Sequence, residues 1–250
     1  MNITVELADL DVIRPLRELY RSEMRCQIIH DSIHRRPGWT QEYVLRRGGV
    51  LAGYGSVAIA GPWAERPAVY EFYVSPEHAS HTFDLFAAFS DASAAPAITI
   101  QTNDAVGVVM LHAFARDVTN DALLFHDRLR TTHTPPPNVV FRTATVEEVP
   151  DATPEQLGWR VIVEVDGKPA ANGGVLFHYN PPYGDIYMHV DERFRRRGLG
   201  TFIVQELKRL CYEGGHIPAA RCNPGNTGSR QTLQRAGFVP CGYMLSGTLR

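Results

Sequence analysis

The sequence predicts an α/β chain built from two similar halves, each a mixed sheet with helices on its faces. Three observations predict it. The same order of strand-like and helix-like segments occurs twice. A run of three prolines, Pro135-Pro136-Pro137, lies between the two occurrences. Only the second occurrence has an arginine- and glycine-rich loop between a strand and a helix.

In the first half, Ile3–Glu6 reads as a strand and Leu10–Ile29 as helical. Residues 49–61 suit a pair of strands, and Val69–Val74 alternates with the two-residue repeat of a strand. A helix over His81–Phe89, a strand over Ala97–Thr102 and a helix over Ala105–Phe114 follow. The three prolines can continue neither a helix nor a central strand. They predict a linker over residues 131–138, which divides the chain into domains 1–130 and 139–250.

The second half opens on a strand at Val139–Arg142. A short helical piece around Val146–Leu157 is interrupted by Pro150 and Pro154. Trp159–Val165 and Ala170–His178 are strands joined by Asp166-Gly167, a hairpin signal. Asp185–Val190 is the next strand, Phe202–Leu210 a helix and Ala219–Cys222 a strand. The halves align: Val69–Val74 falls on Asp185–Val190, and Ala97–Phe114 on Ala219–Phe238, with Asn103 near Asn226.

Composition bounds the function. The chain has 250 residues, 44% hydrophobic and 21% charged, as globular proteins have. A net charge of -2 gives no global case for nucleic acid or a membrane surface. No apolar run is long enough to span a bilayer. The N-terminus has no basic stretch leading into an apolar run, and four cysteines without C-x-x-C or zinc spacing suit free thiols. The expectation is a cytoplasmic protein without a metal.

The chemistry concentrates in Val190–Thr201. Arg195, Arg196 and Arg197 precede Gly198 and Gly200, and the next helix starts there. The first amides of a helix lack intrahelical partners and carry the positive end of its dipole, so they attract anions. Glycine lets the backbone come close, and guanidinium forks match phosphate oxygens. The loop therefore calls for a phosphate or pyrophosphate.

Arg195-x-x-Gly198-x-Gly200 resembles the Arg/Gln-x-x-Gly-x-Gly/Ala loop of the GNAT superfamily of N-acetyltransferases. Asn226-x-x-Ser229, running through Leu233 to Gly237-Phe238, resembles the Asn-x-x-Ala/Ser helix of the same superfamily. The resemblance covers most of residues 138–250. It implies two tandem GNAT-like domains, each a mixed, mostly antiparallel sheet flanked by helices. The first is degenerate, because Glu77–Thr82 has neither the arginines nor the glycine pair. It implies acetyl-CoA as co-substrate, held by Arg195, Arg196, Arg197, Gly198, Leu199, Gly200 and Thr201. Met188, His189 and Val190 at the strand end would add backbone contacts, and Asn226 and Ser229 would lie beside the cofactor arm.

Transfer of an acyl group from a thioester to an amine needs a held donor, a polarised carbonyl, a neutral amine and a proton for the thiolate. Candidates for the base are Asp185, His189, His178 and Tyr187. In the family, bases often come from positions matching Gly184 and Ile186, which cannot titrate here. The tyrosine that often protonates the thiolate is matched by Leu233, and Tyr183, Tyr187 or water are the substitutes. Cys222 reads as a packed thiol. The resemblance implies an N-acetyltransferase acting on a primary amine of a small molecule or peptide. The alternative is a non-catalytic acyl-CoA-binding module, and the charge argues against an aminoacyl-tRNA donor. A homodimer is compatible with the reading.

Three features of the first half stay open. His30 and His34 are one helical turn apart and suit a metal or a solvated helix end. Arg14, Arg17, Arg21 and Arg25 share a helical face and read as a solvated row or a basic rim for an anionic acceptor. The segment Arg25–His34 is a candidate wall of the acceptor pocket.

Overall fold

A computed structural model describes residues 2–24, 31–132 and 134–250. It divides into two compact units, Met1–Ala122 with Gly242–Arg250, and Leu123–Cys241.

The first unit runs β1 (Ile3–Ala8), α1 (Leu10–Met24), α2 (Asp31–His34), β2 (Thr40–Arg47), β3 (Val50–Ala58), β4 (Ala68–Val74), α3 (Thr82–Ser93), β5 (Ala97–Gln101) and α4 (Ala105–Phe114), and then enters β6 (Ala115–Asp127). Strands β1 to β5 are neighbours in chain order. All of these pairs are antiparallel except β4 with β5, which are parallel only at Ala68–Val69 with Ala97–Ile98. Beyond Val69 the two strands part. The sheet buries its apolar face against α3 and α4, with Phe72, Phe86 and Phe89 fully buried and Phe72 crossing Phe86 edge-on at 4.9 Å. Edge-to-face contacts of this kind suit the ring quadrupoles.

The second unit takes the end of β6 and continues through β7 (Val139–Thr143), α5 (Pro154–Leu157), β8 (Arg160–Val165), β9 (Lys168–Leu176), β10 (Tyr183–Val190), α6 (Leu199–Glu213), β11 (Ile217–Cys222) and α7 (Thr227–Arg235) to the start of β12 (Phe238–Leu249). Its strand order is β6-β11-β10-β9-β8-β7. Only β10 and β11 are parallel. Helix α6 carries the main apolar stripe: Phe202, Ile203, Val204, Leu207 and Cys211 pack into the core with Val161, Val163, Ile186, Leu233 and Phe238. One buried cation interrupts it. Lys208 is 2% exposed; its Nζ donates to the carbonyls of Leu129 and Ala236, each at 2.6 Å, and pairs with Asp127 at 2.6 Å. Two carbonyls accept from the ammonium, and the neighbouring carboxylate balances its charge.

The units divide at Ala122, not at the proline run. The expected linker 131–138 falls inside the second unit, because Leu123–His126 already pair with β11 and Leu123 and Phe125 belong to its core. The chain end also departs from the expected 139–250 domain. Met244–Thr248 pair antiparallel with β5, so the last residues complete the first unit.

Several expected elements move. One strand, β3, replaces the pair expected over residues 49–61; its partner β2 precedes it. Of the helical piece at Val146–Leu157 only Pro154–Leu157 is helical, capped by Thr153 and Gln156 acting on each other's backbone amides. The later part of the expected Leu10–Ile29 helix, with Arg25, Cys26 and His30, lies outside the described residues. So does most of the candidate pocket wall at Arg25–His34.

Candidate functional site

The arginine–glycine loop folds as a turn of 3-10 helix, Glu192–Phe194, followed by two residues with left-handed backbone, Arg196 (φ 63°) and Gly198 (φ 80°). Gly198 occupies the N-cap of α6 and has no side chain to cap it. The leading amides of α6 are therefore left to solvent or a ligand. The loop supports itself from outside: Arg193 binds Asp191, and Arg195 donates from Nε to the Val190 carbonyl at 3.2 Å and pairs with Glu192 at 3.0 Å. The Arg193 guanidinium holds the Asp191 carboxyl down to about 2. Arg197 lies against the Phe194 ring, 5.4 Å from its centroid. Leu199 and Thr201 bury their side chains, so they could serve a ligand by backbone only. Gly200 has a packing reason. A Cβ there would stand 3.1 Å from Thr232 Cγ2 of α7 and 3.6 Å from Met188 Cε.

Strand β10 pairs with β11 only over Tyr183–Asp185, whereas it pairs with β9 as far as Val190. Past Asp185 the parallel strands separate. A cavity of about 250 Å³ lies there, lined by Leu176, Asp185, Ile186, Tyr187, Met188, Val204, Arg221, Ser229 and Leu233. Residues from β9, β10, β11, α6 and α7 thus meet at one opening.

Asp185 is 4% exposed. Its Oδ2 stands 3.2 Å from His178 Nε2 and 3.7 Å from Arg221 Nε. Tyr187 spreads its ring over Gly174, its cross-strand partner, where a Cβ would meet the hydroxyl at 2.9 Å. That hydroxyl accepts a hydrogen bond from Arg160 and keeps its own proton to give. His189 is exposed, pairs across the strands with Asn172 and does not line the cavity. Of the candidate acid–base groups, the structure brings Asp185 and Tyr187 to the cavity, with His178 behind Asp185.

Helix α7 is capped by Asn226, whose Oδ1 accepts from the Ser229 amide at 3.0 Å. Its side-chain oxygen is thereby occupied, while its NH2 group keeps two donors. Ser229 reaches the cavity. Burial pushes the Cys222 thiol up, as suits a packed thiol. Arg221 is the charged lining residue that no motif in the sequence marks. Asp185 pairs with Ala219, and Arg221 is two residues further, on the same face by the strand repeat.

The first unit has the same parting of strands with different contents. Of the arginine row, the described members Arg14, Arg17 and Arg21 are each paired with a carboxylate and form no basic rim. Arg17 falls inside the apolar stripe of α1, between Ile13, Leu16 and Tyr20, and is buried. Its guanidinium grips Glu71 of β4 through Nε and NH2 at 2.8 and 2.9 Å, and Asp31 at 2.7 Å. Arg14 pairs with Asp11, and Arg21 with Asp31. Glu71 also accepts from Tyr54 at 2.9 Å and lies 3.1 Å from His34 Nε2; His34 Nδ1 meets Glu42 at 2.8 Å. Burial alone would raise the Glu71 pKa, but Arg17 and His34 outweigh it and hold the carboxyl far below the usual range. Both ring nitrogens of His34 are thus taken by carboxylates. At the place of the arginine–glycine loop stands a 3-10 turn, Pro76–His81.

Residues 126–238 match the sequence profile of the Acetyltransferase (GNAT) family. That segment is similar to the family, and the whole chain has the fold of tandem GNAT proteins. An acetyltransferase of the GNAT family from Colwellia psychrerythraea superposes with a TM-score of 0.75 at 12% identity, over 99% of this chain and 100% of that one. A tandem GNAT protein from the clavulanic acid biosynthesis pathway superposes with a TM-score of 0.65 at 14% identity, over 99% of this chain and 98% of that one. No curated protein matches by sequence. At these identities the likeness speaks for the fold. No helix among the described residues is long and apolar enough to cross a membrane.

Proposed function

We infer that the chain is an acetyl-CoA-dependent N-acyltransferase whose second unit moves an acetyl group to a primary amine. The observation that carries this reading is the coincidence of an uncapped, glycine-opened α6 N-terminus with a cavity at the parting of β10 and β11. The family supports acyl transfer in general.

Acetyl-CoA would supply the acyl group as a thioester. The residues present fit it. The loop amides of Leu199–Thr201, with Arg196 and Arg197, suit a pyrophosphate. Backbone amides of β10 past Asp185 have no β11 partner to bond, and so suit a pantetheine amide and a thioester oxygen. Asn226 and Ser229 stand at the head of the helix that flanks the cavity.

Asp185 takes the proton of the acceptor amine, directly or through a water. Its position in the cavity and its contacts with His178 and Arg221 support that role. Return of a proton to the thiolate falls to Tyr187, which lines the cavity, or to a water. The first unit takes no part in the chemistry. Its buried charged groups, Arg17, Asp31, His34, Glu42 and Glu71, are spent on each other, and it serves as scaffold. The free thiols of Cys211, Cys222 and Cys241 suit the cytoplasm.

Turnover of acetyl-CoA with a panel of amines tests the reading. Amine-dependent release of CoA supports it. Tight CoA binding with no turnover on any amine would instead favour the non-catalytic binding module.

A further inference from the structure

We propose that the acceptor carries a carboxylate beside its amine, as an α-amino acid does, and that Arg221 binds the carboxylate. The proposal rests on the acyl-transfer reading above and narrows its acceptor.

Arg221 and Asp185 line one cavity and lie on one face of adjacent strands. Their nearest approach, 3.7 Å, is longer than an N–H···O bond. The guanidinium is therefore drawn to Asp185 without being locked on it. Its fork geometry presents five donors, and a single contact at Nε leaves the terminal NH2 groups to meet two oxygens of a carboxylate side by side. The group is oriented from behind by the ring of Tyr179, which is 2% exposed and 5.5 Å from the guanidinium carbon. Its side chain is 36% exposed, so the face away from Tyr179 is open to a ligand.

Electrostatics points the same way. A simple amine arrives largely as a cation. Near Asp185 it would meet Arg221 at close range and, further along the face, Arg160 bonded to Tyr187. Like charges at that separation in a partly buried site repel strongly. A zwitterion removes the conflict. Its ammonium faces Asp185 and its carboxylate faces Arg221. In an α-amino acid both groups hang on one carbon, which matches two partners standing almost in contact.

The test uses the full chain, acetyl-CoA and matched acceptors: α-amino acids, their carboxamides and the corresponding decarboxylated amines. Amino acids should give at least a tenfold higher kcat/KM than their matched amines. Arg221→Gln should raise KM for amino acids about tenfold or more and lower KM for the decarboxylated amines, which no longer meet a like charge. Arg221→Lys, which keeps the charge without the fork, should restore part of the loss. Thermal midpoints and CoA affinity of both variants show whether the fold and donor site are intact. Equal or better use of decarboxylated amines by the wild type overturns the proposal and leaves the acyl-transfer reading standing. So does an equal KM rise for both acceptor types in a folded Arg221→Gln. No turnover with any amine overturns both.

Discussion

The Tyr20 hydroxyl of α1 donates at 2.9 Å to Asp104, the residue that caps α4 through the Gly107 amide. Asp104 holds in the first unit the place that Asn226 holds in the second: each is the N-cap of the helix after the strand that parts from its parallel neighbour. Where the second unit has an exposed amide, the first has a buried carboxylate plugged by the protein's own phenol. Tyr20 is itself wedged between Tyr54 and Tyr73, with centroids 6.2 Å away on each side.

Tyr20→Phe should therefore destabilise the chain. Asp104 would lose one acceptor contact in a site where burial already raises its pKa. An unsatisfied buried partner costs about 1–3 kcal/mol. The midpoint of urea unfolding should fall accordingly, with acetyl-CoA binding unaffected. An unchanged midpoint would show that the hydrogen bond contributes nothing net.

Alkaline pH should loosen the first unit. Burial alone would lower the His34 pKa, but the Glu71 and Glu42 carboxylates raise it to about 9. A raised folded-state pKa contributes stability that is complete below the unfolded value near 6.5, and that is lost as pH rises through about 9. The thermal midpoint should drop between pH 7 and pH 9.5 in the wild type. In His34→Gln, already less stable, that slope should be largely gone. A parallel slope in both proteins would assign it to another group.

Calorimetry should find one CoA per chain. Gly198→Asp should abolish it, since a carboxylate there meets a pyrophosphate and obstructs the backbone's approach. Aspartate tolerates left-handed backbone better than most residues, so the cost to the fold should stay near 1 kcal/mol. Two equivalent sites per chain would contradict the account of the first unit.

Asp185→Asn should lower turnover about a hundredfold, the usual scale of general-base catalysis, with CoA affinity nearly unchanged. His189→Ala should be close to wild type, because His189 is exposed and away from the cavity lining. The reverse pattern would transfer the base to His189.

Much of the second unit was legible in the sequence, because each of its signals is local. The glycine pair, the strand before it and the helix after it all fall within Asp185–Glu213. What escaped was non-local. Arg221 becomes a site residue only through the parallel register that sets Ala219 against Asp185. Spacing alone groups Arg17 with Arg14 and Arg21. Yet Ile13, Leu16 and Tyr20 already define an apolar stripe, and Arg17 lies within it. Its partner Glu71 sits in the middle of a buried strand, 54 residues away. Strand β6 escaped because Arg116–Asp121 is polar and exposed, and only its last third, Leu123–Phe125, looks like core.

A fragment beginning at Asn138 should misbehave for that reason. It loses Leu123 and Phe125 from the second core and the β11 pairing of β6, leaving an apolar strand edge exposed. Low solubility and absent CoA binding are expected. A soluble fragment with native affinity would show β6 to be dispensable.

The assignment of Gly242–Arg250 to the first unit also sets an order of events during synthesis. A ribosome that has made Met1–Ala122 has not yet made the strand that pairs with β5, and all of Leu123–Cys241 must emerge before it does. Until then Ala97–Gln101 presents an open edge to chaperones and to other nascent chains. The usual amino-to-carboxyl sequence of domain maturation cannot apply here. The amino-terminal unit is begun first and finished last.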